Sequence, residues 1–548
     1  MNAKSPISNW LPYLLIALVW LVTRAYPLSL VEPALDWQVW ESKKLLEYGF
    51  AERQGAIIDV HFMTGKVAEP AKFNYVNHPY PILWLDTLAY YACGEWGTVL
   101  FNSFLGLITC LAVFPALSLL FPRSESIAGA LLFVMAPSSI FYNVNANTVS
   151  LGAMIWPFAV WHIGRQHQRA GKESWLSLGL IAFFGGQISW FTYTAMPALF
   201  GACLGLSYEA GKGLSFAPRK KLAGALFIGG LATAAVFIAQ IIHYTYDIGA
   251  DLAYLHGQAS SQDGMGAGKM FLAIGMRAIM SLGPALVLGV LAWTVLRLRS
   301  ASVNWLEFGA LTYLVIFALS AVILRRFFFR EIHMYQYLVF PCTVLTVAAL
   351  HSMGSPRWTR LILLLSVAGL SYPMIQSSIP VASQTTRKLG AYIKEISTPT
   401  EIVATNLEKR MSPFAPWDVG SVDLLDIFSD RLIREGIATQ KALIGLPANF
   451  KSHALDVVFL YHPALPIDAS LLKDLRKTGS PDSYLFQVPT EPATFATTLR
   501  SYYWKLSGRH QLTNGTEGAP KTTAEFEVFR FQLVTVEPDG VQVLPVRK

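Results

Sequence analysis

Residues 325–335 read RRFFFREIHMY, from Arg325 to Tyr335, and lie between two long apolar runs at 304–323 and 335–353. Each flanking run has close to the roughly 20 residues that a helix needs to cross the hydrocarbon core of a bilayer. If both runs are spans, three arginines sit at a membrane boundary, and the rest of the chain decides which one. The 548 residues are 53% hydrophobic and 14% charged, with a mean hydropathy of +0.41, which is too apolar for an ordinary soluble protein. The surplus is gathered into further runs near 10–30, 97–121, 127–142, 147–164, 175–190, 194–208, 222–243, 271–296 and 361–379. The expected fold class is therefore a polytopic α-helical membrane protein with about eleven transmembrane helices.

Orientation follows from the loops. Arg123, then Arg165, Arg169 and Lys172, then Lys212, Arg219, Lys220 and Lys221, then Arg297 and Arg299, then Arg357 and Arg360 fall in alternate loops, on the side of Lys4. By the positive-inside bias that side is cytoplasmic. The N-terminus is then cytoplasmic. The first outer loop (31–96), the RRFFFREIHMY stretch and everything after about residue 380 are extracytoplasmic. The net charge of +8 is explained by these clusters, so nucleic acid is set aside as a partner. Cys93, Cys110, Cys203 and Cys342 lie in or beside apolar segments and show neither a disulfide framework nor zinc spacing. The run from Trp10 to Leu30 is too long for a signal-peptide core and reads as a retained span.

Two domains are expected, a transmembrane domain at 1–380 and an extracytoplasmic α/β domain at 381–548. In the second, EIVATN and DVVFLYH alternate with the helix-like ASLLKDLRKTG and EPATFATTLRSYYWKLSG.

The first outer loop holds the candidate chemistry. Asp36 opens VEPALDWQVWESKKLLEYGF, whose Val39, Trp40, Leu45, Leu46 and Tyr48 fit an amphipathic helix on the membrane surface. Two readings of Asp36 stand side by side, a helix cap and a carboxylate facing a cavity at membrane level, able to act as general base. The loop closes with His78-Pro79-Tyr80-Pro81, a rigid turn leading into a second surface helix with Trp84, Leu85, Leu88, Tyr90 and Tyr91. Asp59, His61 and the acidic residue Asp86 also face the outer side. The Asp59/His61 spacing is only half a metal site and reads as a solvated loop. Arg277 lies about two turns inside the apolar MFLAIGMRAIMSLGP, where a cation costs about 2.5–3.5 kcal/mol on insertion scales and normally faces a cavity or a partner.

A long outer loop with an acid just after the first span, two surface helices, the Y-x-x-H-P-x-P segment at 75–81 and REIHMYQYLVFP at 330–341 together resemble the GT-C glycosyltransferases. The closest branch is that of the protein O-mannosyltransferases and lipid A aminoarabinose transferases. Members usually carry an Asp-Glu pair after the first span. Here Asp36 is followed by Trp37, with Glu32 and Glu41 nearby, so the base role is carried to Asp36 alone.

The resemblance implies a polyprenyl-phosphate-linked sugar donor and transfer to an acceptor on the extracytoplasmic face. The acceptor is a glycolipid, a polysaccharide or a protein. Arg277, Arg325, Arg326 and Arg330 would hold the donor phosphate, since the planar guanidinium binds phosphate oxygens bidentately. His78, Tyr80, His333 and Tyr335 would shape the cavity. Each arginine also has a bland reading, snorkelling to lipid headgroups, and Tyr335 has one as an interface anchor. The scheme requires no cofactor and assigns no metal site, a divalent ion being left open. The competing class is a transporter or flippase for a lipid-linked sugar, against which stands the lack of any internal repeat.

Overall fold

A computed structural model of the chain describes residues 6–30, 37–57, 74, 78–144, 151–168, 174–209, 211–245, 267–300, 302–324, 328, 332–370, 391, 393–398, 401–405, 429, 431, 433–434, 456–461, 485–487, 501–512, 526–537 and 540–543. Asp36, Asp59, His61, Arg325, Arg326 and Arg330 lie outside these residues, as does the side chain of His333. The described residues form two compact units, one drawn from 6–370 and one from 391–543.

The first unit is helical. In chain order it contains α1 (Pro6–Leu30), α2 (Trp37–Glu47), α3 (Tyr80–Cys93), α4 (Glu95–Leu117), α5 (Arg123–Met135), α6 (Pro137–Tyr142), α7 (Ile155–Gln168), α8 (Trp175–Ile188), α9 (Met196–Cys203), α10 (Lys220–Tyr244), α11 (Ala267–Ser300), α12 (Trp305–Ile323), α13 (Val339–Met353) and α14 (Pro356–Leu370). Among the described residues, five segments are long and apolar enough to cross a membrane as single helices: Glu95–Leu117, Lys220–Tyr244, Gly268–Arg299, Trp305–Ile323 and Met334–Met353. The last is 83% buried across its most apolar window and the second only 28%, which puts α13 at the centre of the helical unit and α10 at its rim. Leu231, Ile238 and Ile242 on α10, like Leu14, Leu18 and Val22 on α1, point outward, as expected where the surrounding solvent is hydrocarbon.

Several expected spans come in pieces. The run at 127–142 is divided between α5 and α6 at Ala136, whose extended backbone (φ −61°, ψ 132°) precedes Pro137. A residue before proline is pushed out of the helical region by clash with the ring, so the chain breaks there. The run at 194–208 is no span. Its helix ends at Cys203, and Ser207–Glu209 form a strand, β1, paired with β2 (Gly213–Ser215) and β3 (Ser302–Val303).

α11 breaks as well. Gly283 has φ 75° and ψ 165°, a backbone region open only to glycine, and Pro284 follows it. The two breaks dock on each other. A Cβ on Gly283 would lie 3.1 Å from Pro137 Cδ, and the Ser138 hydroxyl donates to the Ser281 carbonyl at 2.9 Å. That carbonyl has lost its helical acceptor role because the helix is interrupted two residues later, and Ser138 satisfies it inside the apolar core. Elsewhere small residues let backbones touch: a Cβ on Gly229 of α10 would meet the Gly179 carbonyl of α8.

The second unit holds a seven-stranded mixed sheet of β4 (Ile402–Thr405), β5 (Ile433–Arg434), β6 (Asp456–Tyr461), β7 (Leu485–Gln487), β8 (Ser501–Leu512), β9 (Phe526–Glu537) and β10 (Gly540–Val543), in the order β5-β4-β6-β9-β8-β7. β4 runs parallel to β5 and to β6, while the β6–β9 pair and all pairs beyond it are antiparallel. β10 pairs with β9 at Val534–Glu537, just past the stretch Glu527–Gln532 that pairs with β6. EIVATN and DVVFLYH thus form the strands β4 and β6, and their Val403, Ala404, Val458 and Phe459 are fully buried. The expected helix in EPATFATTLRSYYWKLSG is corrected over its second half. Ser501–Leu512 is a strand along β9, because Tyr502, Tyr503 and Trp504 favour a pleated surface and β9 supplies a complete ladder for them. ASLLKDLRKTG lies outside the described residues.

Gly283→Ala should cost about 1–3 kcal/mol, the strain of a side chain at this φ/ψ. The check is the thermal unfolding midpoint in detergent, with Gly224→Ala as the control that does not lower it, since a Cβ there meets nothing within 4 Å and alanine favours the helix.

Candidate functional site

The surface helices form where the sequence places them. α2 begins at Trp37, directly after Asp36, and α3 begins at Tyr80 with Pro79 as its cap residue. Proline suits the first turn because its missing N–H would have no helical partner. The Gln240 side chain of α10 then grips this turn from both sides. Its Nε2 donates to the His78 carbonyl at 2.7 Å, and its Oε1 accepts from the Tyr80 backbone N–H at 2.8 Å. One amide therefore fixes both flanks of Pro79.

Around that clamp, polar groups are buried together. The Tyr80 ring is 0% exposed and packs 4.7 Å from the Tyr244 ring. Burial first, then the neighbouring Tyr244 and Glu41, push the Tyr80 hydroxyl well above the usual phenol range, while Arg53 acts against them. It therefore stays protonated at neutral pH and serves as a neutral hydrogen-bonding group. Arg53 is itself held below its ordinary value, by burial. Its Nε donates to the Ala56 carbonyl at 3.2 Å, and its Nη2 contacts the Asn74 side chain. Trp84 Nε1 donates to the Gly55 carbonyl and the Tyr244 hydroxyl to the Gln54 carbonyl, so residues 48–57 are tied to both α3 and α10.

Asp86, which the sequence presents as one of the outer-side acids, is enclosed by protein. It is 0% exposed, and its Oδ1 accepts from Asn102 Nδ2 of α4 at 2.9 Å. Glu41 on α2 is 1% exposed. The burial of Asp86 follows from the packing of α3 and α4, which are separated by a single glycine, Gly94, and lie along one another.

A second group surrounds the docked helix breaks. Arg277, 1% exposed, sits between one and two turns before the α11 break, near Tyr335 and Tyr142. Tyr335 is 0% exposed, which removes it as an interface anchor, and its hydroxyl donates to the Phe328 carbonyl at 2.8 Å. Phe328 is the described member of the opening FFF run. It is fully buried against Phe317 (4.8 Å) and Phe191 (5.7 Å), so it packs into protein and does not line lipid. Tyr335 and Phe328 thereby pin the middle of the arginine-bearing stretch to the helical core. His333 belongs to the 3-10 turn Ile332–Leu338 that carries Tyr335.

Beside the end of α5 lies Arg24, which the sequence reading passed over. It is 0% exposed inside α1. Its guanidinium donates to the Val134 carbonyl at 2.7 Å, to Asn143 Oδ1 at 3.3 Å and to Thr23 Oγ1 at 2.6 Å. Val134 is in the last turn of α5, where carbonyls have no helical partner and carry the negative end of the helix dipole. Trp20 Nε1 also donates to Asn143 Oδ1, at 3.2 Å. The signal was available: the depth argument applied to Arg277 applies equally to an arginine six residues inside the first span.

The structure thus joins His78 with Tyr80 on α3 and α10, and Arg277 with Tyr335 on α11 and the following 3-10 turn. Chemically, the first group offers neutral donors and acceptors beside buried carboxylates. The second offers a fixed cation in an apolar setting, where an anionic oxygen is bound more strongly than in water. Among the described residues no group of three or more His, Cys, Asp and Glu is arranged to hold a metal ion.

No family model and no curated protein matches the chain. Among solved structures it is similar to two crystal structures of ArnT, a lipid A aminoarabinose transferase, from Cupriavidus metallidurans. One is bound to undecaprenyl phosphate (TM-score 0.48, 11% identity) and one is in the apo state (TM-score 0.49, 13% identity), each similarity covering 89% of this chain and 97% of the other.

Gln240→Leu should destabilise the helical unit by about 1–3 kcal/mol for each of the two backbone groups it leaves unsatisfied. Faster proteolysis within residues 48–80, together with a lower unfolding midpoint, is the expected readout.

Proposed function

We propose that the chain is a polytopic membrane glycosyltransferase of GT-C type that moves a sugar from a polyprenyl-phosphate-linked donor to an acceptor hydroxyl on the extracytoplasmic face. The observation that carries this reading is the buried Arg277, held in an apolar helix by the two docked breaks and flanked by Tyr142 and Tyr335. Keeping a guanidinium at this depth is costly, and binding a lipid phosphate at the membrane boundary gives that cost a purpose. The motifs around Asp36, His78-Pro79-Tyr80-Pro81 and 330–341 supply the rest.

In the proposed reaction Asp36 takes the proton of the acceptor hydroxyl as its oxygen attacks the anomeric carbon. The bond from that carbon to the phosphate oxygen breaks, and its electron pair leaves on the polyprenyl phosphate. Single displacement inverts the anomeric centre. Charge grows on the leaving phosphate during the step, so Arg277, with Arg325, Arg326 and Arg330, stabilises the transition state more than the ground state. His78, Tyr80 and His333 would line the acceptor and sugar side. Tyr335, whose hydroxyl is committed to Phe328, would act by fixing the 328 segment. The unit at 381–548 would lie on the extracytoplasmic side.

The test is transfer from radiolabelled polyprenyl-phosphate sugars by purified protein in nanodiscs, with an envelope extract as acceptor source. Asp36→Asn should lower kcat by about 100-fold or more, the usual worth of a general base, with donor binding kept. Arg277→Ala should weaken donor binding by about 10- to 100-fold, the loss of one or two charge-assisted hydrogen bonds. A wild type that transfers nothing from any donor but moves lipid-linked sugar between leaflets would replace the transferase with a flippase.

A further inference from the structure

The small sheet β1–β2–β3 belongs to none of the chemistry above. It stands where four apolar helices end: α9 stops at Cys203, α10 starts at Lys220, α11 stops at Ser300 and α12 starts at Trp305. The hairpin is closed onto these ends by backbone bonds from Ala217 N–H to the Leu204 carbonyl at 3.2 Å and from Arg219 N–H to the Cys203 carbonyl at 2.9 Å. It is therefore fixed at the level where the apolar helices stop.

Its register separates two faces. Tyr208 pairs with Leu214 on one side and with Val303 on the other, so these three share a face. Directly opposed residues in an antiparallel ladder point the same way, and successive residues alternate. Ser207, Ser215, Glu209 and Ser302 take the opposite face, where the Ser207 and Ser215 hydroxyls bond at 2.6 Å. Phe216 follows Ser215 just past the end of β2 and is exposed as well. Tyr208 (42% exposed), Leu214 (62%) and Phe216 (58%) are open on their side. A sheet with one apolar and one hydroxyl-lined face, rigidly placed at the edge of the apolar slab, has the make-up of an interfacial membrane element.

Charge identifies the occupant. Lys220, Lys221 and Arg299 are exposed beside the hairpin, at the start of α10 and the end of α11, and Trp305 opens α12. Glu209 is taken up by an ion pair with Lys212 at 2.8 Å across the turn. We propose that the β1–β2–β3 sheet lies on the membrane with Tyr208, Leu214 and Phe216 among the lipid chains, and that Lys220, Lys221 and Arg299 bind anionic phospholipid headgroups of that leaflet. The proposal rests on the chain spanning a membrane and is independent of the transferase reading. Basic residues near a leaflet surface attract acidic lipids, and the aromatic and aliphatic face supplies the depth.

The test uses full-length protein carrying Cys93→Ser and, one at a time, Leu214→Cys, Ser215→Cys and Phe216→Cys, each with a nitroxide label. Collision with oxygen and with a water-soluble nickel chelate is measured in nanodiscs of phosphatidylcholine, without and with phosphatidylglycerol. The expected result is an oxygen-to-nickel collision ratio several-fold higher at 214 and 216 than at 215. The ratio at 214 should rise further when phosphatidylglycerol is added, and Lys220→Gln/Lys221→Gln should remove that rise while keeping the alternation. Equal nickel access at all three positions would overturn the proposal and leave the face to a soluble partner. Alternation without any response to phosphatidylglycerol would overturn the headgroup assignment. Neither outcome depends on sugar transfer, so failure here and failure of the enzyme reading are told apart.

Discussion

The helical unit depends on one hydrogen bond between two interruptions, the Ser138 hydroxyl on the Ser281 carbonyl. A broken helix in a hydrocarbon setting exposes backbone groups that no water can satisfy. Placing the break at Ala136–Pro137 against the break at Gly283–Pro284 lets the first supply a donor to a carbonyl of the second. Glycine is required because its backbone lies in a region closed to side chains and because Pro137 occupies the space a side chain would take.

The polar residues at depth follow from that junction. Arg24 donates to the open carbonyl end of α5, and Arg277 stands near Tyr142 at the end of α6. A guanidinium on Val134 makes a charge-assisted bond worth about 1.5–3 kcal/mol, which is comparable to the insertion cost of one arginine. Arg24 is thereby explained by architecture alone, and Arg277 is the one for which a ligand is proposed. The same economy of exposed backbone governs the outer loop, where the Gln240 amide closes the turn at Pro79 that presents Tyr80.

Tyr335 and Phe328 act together once packed. Tyr335 adjoins an apolar run, a place where aromatics favour the interface. Their burial against Phe317 and Phe191 makes them an anchor for the segment between α12 and α13 instead. A one-dimensional pattern gives distance from a span end but not the direction a side chain faces, and aromatic rings serve in both settings.

The sequence by itself determined what depends on composition and local period. Runs near bilayer length announced the helices, Pro79 marked a helix start, and EIVATN and DVVFLYH announced the strands β4 and β6. Tertiary structure decided what depends on contacts between distant segments. It set the docking of the break at Pro137 on a second break some 140 residues away, the turning of SYYWKLSG into a strand by the ladder of β9, and the burial of Asp86 against Asn102. Arg24 shows the boundary most plainly. Its cost was legible from its place in an apolar run, whereas the carbonyl that offsets the cost belongs to Val134, which only folding brings within 2.7 Å.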